Sequence, residues 1–268
     1  VSKLDEVLRE AVNDLSEHGY TSSGQVNTWL TQIRAAMSAS MLKKADQMRQ
    51  MESTLKRFFK KSLSQADIRQ RHEGIPRFTI ERVMPSLRDV LAQKIRISAD
   101  LIVLNREASM EKTLQRFAGW ASSMPAGGGV ANKTDVKAEV KKSLQQLTFV
   151  ERRVAIDQGH KLMAAVDDVI ATQTGAIAKM WHSEWRMKNY DYRPDHKALD
   201  GKAFAVEGSW AVEKGLINKG DGYAQDIVQP AQEPFCQCYW QSLYHLRDLP
   251  DSMLTKKGRE ALAKAKAA

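Results

Sequence analysis

Arg193-Pro194-Asp195-His196-Lys197-Ala198-Leu199-Asp200-Gly201-Lys202 and, further along, Pro234-Phe235-Cys236-Gln237-Cys238 are the two stretches on which the reading of this chain turns. They hold the only two cysteines of 268 residues, together with a histidine and several acids and bases. Around them the chain is punctuated by Gly201, Gly208, Gly215, Gly220, Gly222, Pro230 and Pro234, which divide it into short segments. Phe204, Val206, Trp210 and Val212 predict a brief strand, and Ile217 with Tyr223 to Val228 adds another. The expected product is a small, loop-rich α+β unit.

Upstream the texture is different. Leu4, Val7, Leu8, Ala11, Val12 and Leu15 recur at helical spacing, and His18-Gly19-Tyr20 ends that helix, because glycine readily takes the left-handed conformation at a helix C-terminus. A second, long helix is expected from Val26 through Trp29, Ile33, Met37, Met48, Met51 and Leu55 to Leu63, with no proline or glycine inside it. Gly74-Ile75-Pro76 breaks the pattern, and Pro85 suits the first turn of a further helix running from Leu87 to Trp120. Met124-Pro125-Ala126-Gly127-Gly128-Gly129 interrupts it, since consecutive glycines are costly to order. Helical spacing then resumes near Thr134 and continues to Ile170.

The predicted fold class is α+β: an elongated, mostly helical N-terminal region followed by a small, loop-rich α+β C-terminal domain. The expected boundaries are a helical region over 1–124, a flexible glycine-rich link over 125–133, helices and the α+β unit over 134–250, and a frayed basic tail over 251–268.

At 27% charged and 43% hydrophobic residues the chain is expected to fold, with a large solvated surface. Its net charge of +9 attracts nucleic acid, acidic partners or anionic lipid. The charge is concentrated at Lys43, Lys44, Arg49, Lys56, Arg57, Lys60 and Lys61, opposed locally by Asp46 and Glu52 only, and these are the candidate DNA contacts. No nucleic-acid module motif accompanies them, so a solvated helix face explains the run equally well. The longest aliphatic run, Leu101 to Leu104, is too short to span a bilayer, and stable membrane insertion is not expected. The amino terminus given has no positively charged segment leading into an apolar core, so synthesis in a reducing cytosol is expected. One residue separates Cys236 from Cys238, a spacing that strains a disulfide and favours free thiols or thiolate ligands.

Trp181 and Trp185, then the string from Arg193 to Lys202, then Pro234 before Cys236-Gln237-Cys238 resemble the signature of the phage Mu protein F family of minor head proteins. That family shares its C-terminal domain with head morphogenesis proteins of other tailed bacteriophages. The tract Arg152-Arg153-Val154-Ala155-Ile156-Asp157 is similar to the helix that precedes the signature, although the family has threonine and glutamate after a basic residue where this chain has Asp157-Gln158-Gly159. Gln237 stands where the family has arginine, which removes a planar cationic fork. The resemblance covers about residues 145 to 245.

The resemblance implies a structural signature at Trp181, Arg193, Pro194, His196, Asp200, Gly201, Pro234, Cys236 and Cys238. It implies a minor structural protein of a tailed-phage head, in multiple copies per virion, lodged in the head interior near the portal. Its partners would be the portal protein, the major capsid protein and packaged DNA, with which it would be delivered. It would be made in the host cytoplasm and assist head morphogenesis. The alternative is a basic nucleic-acid-binding module or scaffold outside the virion.

Residue chemistry leaves several roles open for the cysteine and histidine constellation. In one, Pro194 and Asp195 start a short helix, Gly201 lets the chain leave it at positive φ, and His196 locks the turn through Asp200 or a carbonyl. In another, His196, Cys236 and Cys238, with His182 or Asp200, hold zinc, the one cofactor this sequence suggests. A third makes a cysteine the nucleophile, with His196 or His245 as base, or pairs Asp195 with Asp200 for hydrolysis. The chain contains no Gly-x-Ser-x-Gly, phosphate-binding loop, His-Glu-x-x-His or dinucleotide fingerprint, so an enzyme is not expected.

Overall fold

The structure is a computed structural model that describes residues 2–40, 44–62, 70–76, 79 and 82–267. It is an α+β protein with a helical N-terminal part and a small antiparallel sheet in its C-terminal region. The helices are α1 (Lys3–His18), α2 (Ser23–Ser40), α3 (Lys44–Ser62), α4 (Leu87–Ser122), α5 (Lys133–Gln145) and α6 (Leu147–Thr174). Then come β1 (Ala178–His182), α7 (Pro194–Ala198), β2 (Ala203–Ala205), α8 (Trp210–Glu213), β3 (Tyr239–Leu243) and α9 (Lys256–Ala267). Of the long helix expected from Val26 to Leu63, α2 and α3 are described; Met41 and Leu63 lie outside the described residues.

Two compact units form, and they do not follow chain order. The first takes Val1–Met51 and Ile97–Val154; the second takes Glu52–Arg96 and Ala155–Ala268. The division therefore passes through α3, α4 and α6 rather than falling at 124 and 134. Sequence punctuation marks where a helix stops, whereas a packing unit is set by which stretches of apolar face are buried together.

In the first unit Leu4, Leu8, Ala11 and Leu15 of α1 bury against Ile33 and Met37 of α2, Leu114 and Phe117 of α4 and Val140 of α5. Ser2 caps α1 by accepting from Asp5 N–H at 3.2 Å. Asp14 ties α1 to α2, accepting from the Trp29 indole at 2.7 Å and from Gln25 at 3.0 Å. Burial would raise the Asp14 pKa, but these bonds and His18 outweigh it and hold the carboxyl below its ordinary value.

The glycine-rich link is packed against the end of α1. Gly129 N–H donates to Ser16 O at 3.0 Å, and a Cβ on Gly128 would sit 2.5 Å from that same carbonyl oxygen. Glycine is needed there for close backbone approach, with φ at +88°, rather than for freedom. The basic tail is likewise not frayed. α9 docks through Ala261 and Leu262 on the core of the second unit, and Gly258 lies so close that a Cβ would fall 2.0 Å from Leu216 O. Arg259 adds a bond to Leu254 O at 2.9 Å.

In the second unit β1 is central, flanked by β2 and β3, both antiparallel to it. Register pairs Ala178 with Ala205 and Leu243, Lys179 with Phe204 and Ser242, and Trp181 with Trp240. Side chains alternate across a strand, so the sheet has two distinct faces. Ala178, Met180, Ala203, Ala205 and Leu243 pack with Leu216, Leu249 and Met253, while Trp181, Phe204 and Trp240 pack with Cys236 and Cys238. Residues 210–213, expected as strand, form the short helix α8, and 224–226 form a 3-10 turn. His72 adds a buried brace, 2.7 Å through Nδ1 from the Tyr244 hydroxyl and 3.2 Å through Nε2 from Asp167.

Gly128→Ala is expected to destabilise the first unit by about 1–3 kcal/mol, through strained φ and collision with the end of α1. Denaturant unfolding measures it. Limited proteolysis of the wild-type chain is expected to spare Gly127 to Gly129.

Candidate metal centre

The string from Arg193 to Lys202 builds one wall of the centre. Arg193 is the extended N-cap of α7 and Pro194 occupies its first turn, where a missing N–H has no helical partner to lose. Asp195 is in that first turn, where the N-cap Arg193 makes no side-chain capping bond. Gly201 leaves the turn at φ +78° and donates to Trp181 O at 2.8 Å, which joins the string to β1.

One turn of helix aims His196 inward, where it is 1% exposed. Its ring bonds neither Asp200 nor a backbone carbonyl, the two partners expected to lock the turn. Its Nδ1 lies 3.5 Å from Cys236 Sγ and 3.6 Å from Cys238 Sγ. The three donor atoms lie within 4.8 Å of one another, and all three residues are buried. Both cysteines are free thiols. His196 Nε2 is 3.6 Å from Glu233 Oε2, inside ion-pair range but too long for a hydrogen bond, and is otherwise without a hydrogen-bond partner. Trp181, fully buried, meets the His196 ring edge-on at 5.3 Å and Trp240 at 5.1 Å.

The second string is pinned by its backbone. Pro234 O accepts from Arg193 at 3.0 Å, Phe235 N–H donates to Asp157 of α6 at 2.6 Å, and Gln237 N–H donates to the Tyr190 hydroxyl at 3.1 Å. Arg193 also pairs with Glu233, the carboxylate that faces His196. Phe235 adopts φ +61°, an unusual conformation for a non-glycine residue and one held by its bond to Asp157.

A hydrogen bond from Cys238, then N–H groups of Cys238 and Ala231 and the nearby His196, lower the Cys236 thiol against the opposing effect of burial. The same contact, reinforced by burial, pushes Cys238 up. These contacts favour the thiolate form at Cys236, the form that binds metal or attacks an electrophile. Cys236 is 0% exposed, so its sulfur faces protein on every side.

His182 and Asp200, considered as a fourth ligand, are occupied elsewhere. His182 Nε2 bonds Gln241 at 2.9 Å and its ring stacks on Tyr239. Asp200 accepts from Ser183 N–H and from the Trp185 indole, both at 2.9 Å. Burial alone would raise the Asp200 pKa, but these two bonds, with Arg186, hold it below its ordinary value. Trp185 is covered in turn by Arg186 and Lys197, each 4.1 Å from the ring centroid.

Glu233, Tyr190 and Asp157 contribute to this centre and are not among the signature positions. A carboxylate three residues before Cys236 was the one signal available for Glu233; for Tyr190 and Asp157 contact came only through folding. Part of the basic run of α3 is described. Arg49 pairs with Asp46 at 2.6 Å and Lys56 with Glu52, while Arg57 is exposed. Lys43 and the side chains of Lys44, Lys60 and Lys61 lie outside the described residues. Among the described residues no helix is long and apolar enough to cross a membrane.

Comparison of the chain with protein-family models, with curated proteins and with solved structures gives no match.

Asp200→Ala is expected to cost about 1–3 kcal/mol, because the Ser183 N–H and the Trp185 indole lose their acceptor. The wild-type contribution follows from a depressed carboxyl pKa: it is complete above the ordinary value of 3.8 and is lost as pH falls through the lower folded value. Acid titration of wild type and variant by near-ultraviolet circular dichroism checks both, and the two curves should converge at low pH.

Proposed function

We propose that this chain is a minor structural protein of a tailed-bacteriophage head, associated with the portal and capsid interior, and that it assists head morphogenesis. The observation that carries this reading is the meeting of the two signature strings around His196, 3.5 and 3.6 Å from the two sulfurs. Positions that resemble the Mu protein F signature are thereby mutual contacts in one buried centre. The burial of Cys236 favours an architectural role over nucleophilic attack, since an attacking sulfur must be reached by its substrate. Mass spectrometry and cryo-microscopy of purified proheads and mature virions test the assignment. The chain is expected in at least the proheads, and its absence from both particles overturns the reading.

The role proposed for the centre is a structural zinc site held by His196, Cys236 and Cys238. Two thiols and an imidazole are the donor types zinc prefers, and ligands at its usual bond lengths around a tetrahedron stand about 3.5 Å apart. The separations of Nδ1 from the sulfurs match that edge. Glu233 beyond Nε2 corresponds to the carboxylate that commonly orients a metal-bound histidine. Zinc would join the two strings and staple a unit with few strands, leaving one position for a water or a further ligand.

Elemental analysis of protein prepared without added metal is expected to give about one zinc per chain. A strong chelator, or Cys236→Ala with Cys238→Ala, should lower the unfolding midpoint of the second unit and leave α1 and α2 folded. Metal-free protein whose stability is unchanged by added zinc or chelator overturns the site.

A further inference from the structure

A cavity of about 1100 Å³ opens in the second unit between α6 and the loops at 206–210 and 224–232. None of the three donors of the metal centre lines it. Its volume slightly exceeds the usual range for pockets that enclose one small organic ligand, so a ligand of more than one ring fits. Side chains of the cavity tie its walls together. Gln229 uses both ends of its carboxamide: Oε1 accepts from the Trp240 indole at 3.0 Å, and Nε2 donates to Ala224 O at 2.7 Å and to Ile227 O at 2.9 Å. Gln225 joins the two loops, its Oε1 accepting from Glu207 N–H at 3.2 Å. The cavity is built into the frame of the unit, as ligand pockets usually are.

The lysines of the wall are already satisfied. Lys179 is 7% exposed and pairs with Asp168 at 2.7 Å; Lys161 pairs with Asp157 at 2.8 Å, and Lys94 of α4 is not free either. An ionic ligand held by these groups would have to break a pair and leave a charge uncompensated. A neutral ligand need not. An ammonium has several donors and a carboxylate several acceptor positions, so each pair retains hydrogen-bonding capacity beyond its own contact. A hydroxyl both donates and accepts, and so bridges the two members of a pair without separating them. The Asp168 side chain is 63% exposed, which leaves its remaining acceptor positions open, and Glu207 adds an exposed carboxylate to the same lining. Trp210 supplies the apolar part. It lines the cavity and is 41% exposed, and Lys214 stands over one ring face at 5.7 Å, leaving the other for a ligand.

We propose that this cavity binds a neutral saccharide, with the C–H face of one sugar ring stacked on Trp210 and hydroxyls bonded to Asp168 and Lys179. A sugar ring joins the two properties that the wall asks for. Its hydroxyls donate and accept at every edge, matching pairs of ammonium and carboxylate, and its C–H groups form a flat apolar face that suits an indole.

Maltotriose, cellotriose and triacetylchitotriose are the probes, titrated into the full chain by calorimetry at about 50 and about 500 mM salt. Saturable binding of at least one probe is expected, with the same affinity at both salt concentrations, because a neutral ligand releases no counterions. Trp210→Ala should weaken that probe about tenfold, whereas Trp210→Tyr, which keeps a stacking ring, should retain most of the affinity. Melting curves establish that both variants are folded. Upfield ring-current shifts of the probe's C–H protons on the wild-type chain provide the same test without any variant. Failure of all three probes to bind, an affinity that falls with salt, or binding that Trp210→Ala leaves unchanged overturns the proposal.

Discussion

Burying the His196 imidazole brings two distant segments of the second unit together around its ring. One nitrogen faces Cys236 and Cys238; the other faces Glu233. These residues come from a short helix and from a loop about forty positions later. The ring can be buried only if both segments are in place. Trp181 closes the arrangement from the sheet, edge-on to the same ring. Strand β1, helix α7 and the cysteine loop are thus coupled through one side chain.

Around this contact, charge is used in two ways. Arg193 pairs with Glu233 and donates to Pro234 O, so one guanidinium connects both strings. Asp200 instead turns back toward β1, accepting from Ser183 N–H and the Trp185 indole. The two acidic positions that a hydrolytic reading would have paired do different things: Asp195 lies in the first turn of α7, and Asp200 braces its exit. The thiols make the same point electrostatically: the folded loop brings hydrogen-bond donors, Cys238 among them, to Cys236, and these hold its thiol below the ordinary value.

Both faces of the small sheet are covered, one by Leu216, Leu249 and Met253 and the other by the aromatic and cysteine cluster. The second face has two parts with opposite character. Around Trp181 it is buried and closed; near Lys179 it opens into a cavity lined by charge and amide groups. A strand places successive same-face residues two positions apart, so Lys179 and Trp181 share that face while serving different surroundings.

Sequence alone determined the helices whose apolar residues recur on one face, and α1 begins and ends at the capping serine and the glycine that chemistry selects for those positions. It also pointed to a candidate centre between Trp181 and Cys238, because local strings of histidine, cysteine, aspartate and glycine are visible without a fold. The strands β1 and β3 were not legible. Ala178-Lys179-Met180-Trp181-His182 lies in a sheet covered on both faces, so it lacks the polar and apolar alternation that marks a half-exposed strand. Only the tertiary structure decided that His196 turns to the cysteines rather than to Asp200, and that Glu233 stands behind it. It also decided that the glycines at 127–129 and the basic tail are docked. A glycine reads as freedom in a sequence, but at Gly128 and Gly258 the absent side chain is what lets two backbones touch.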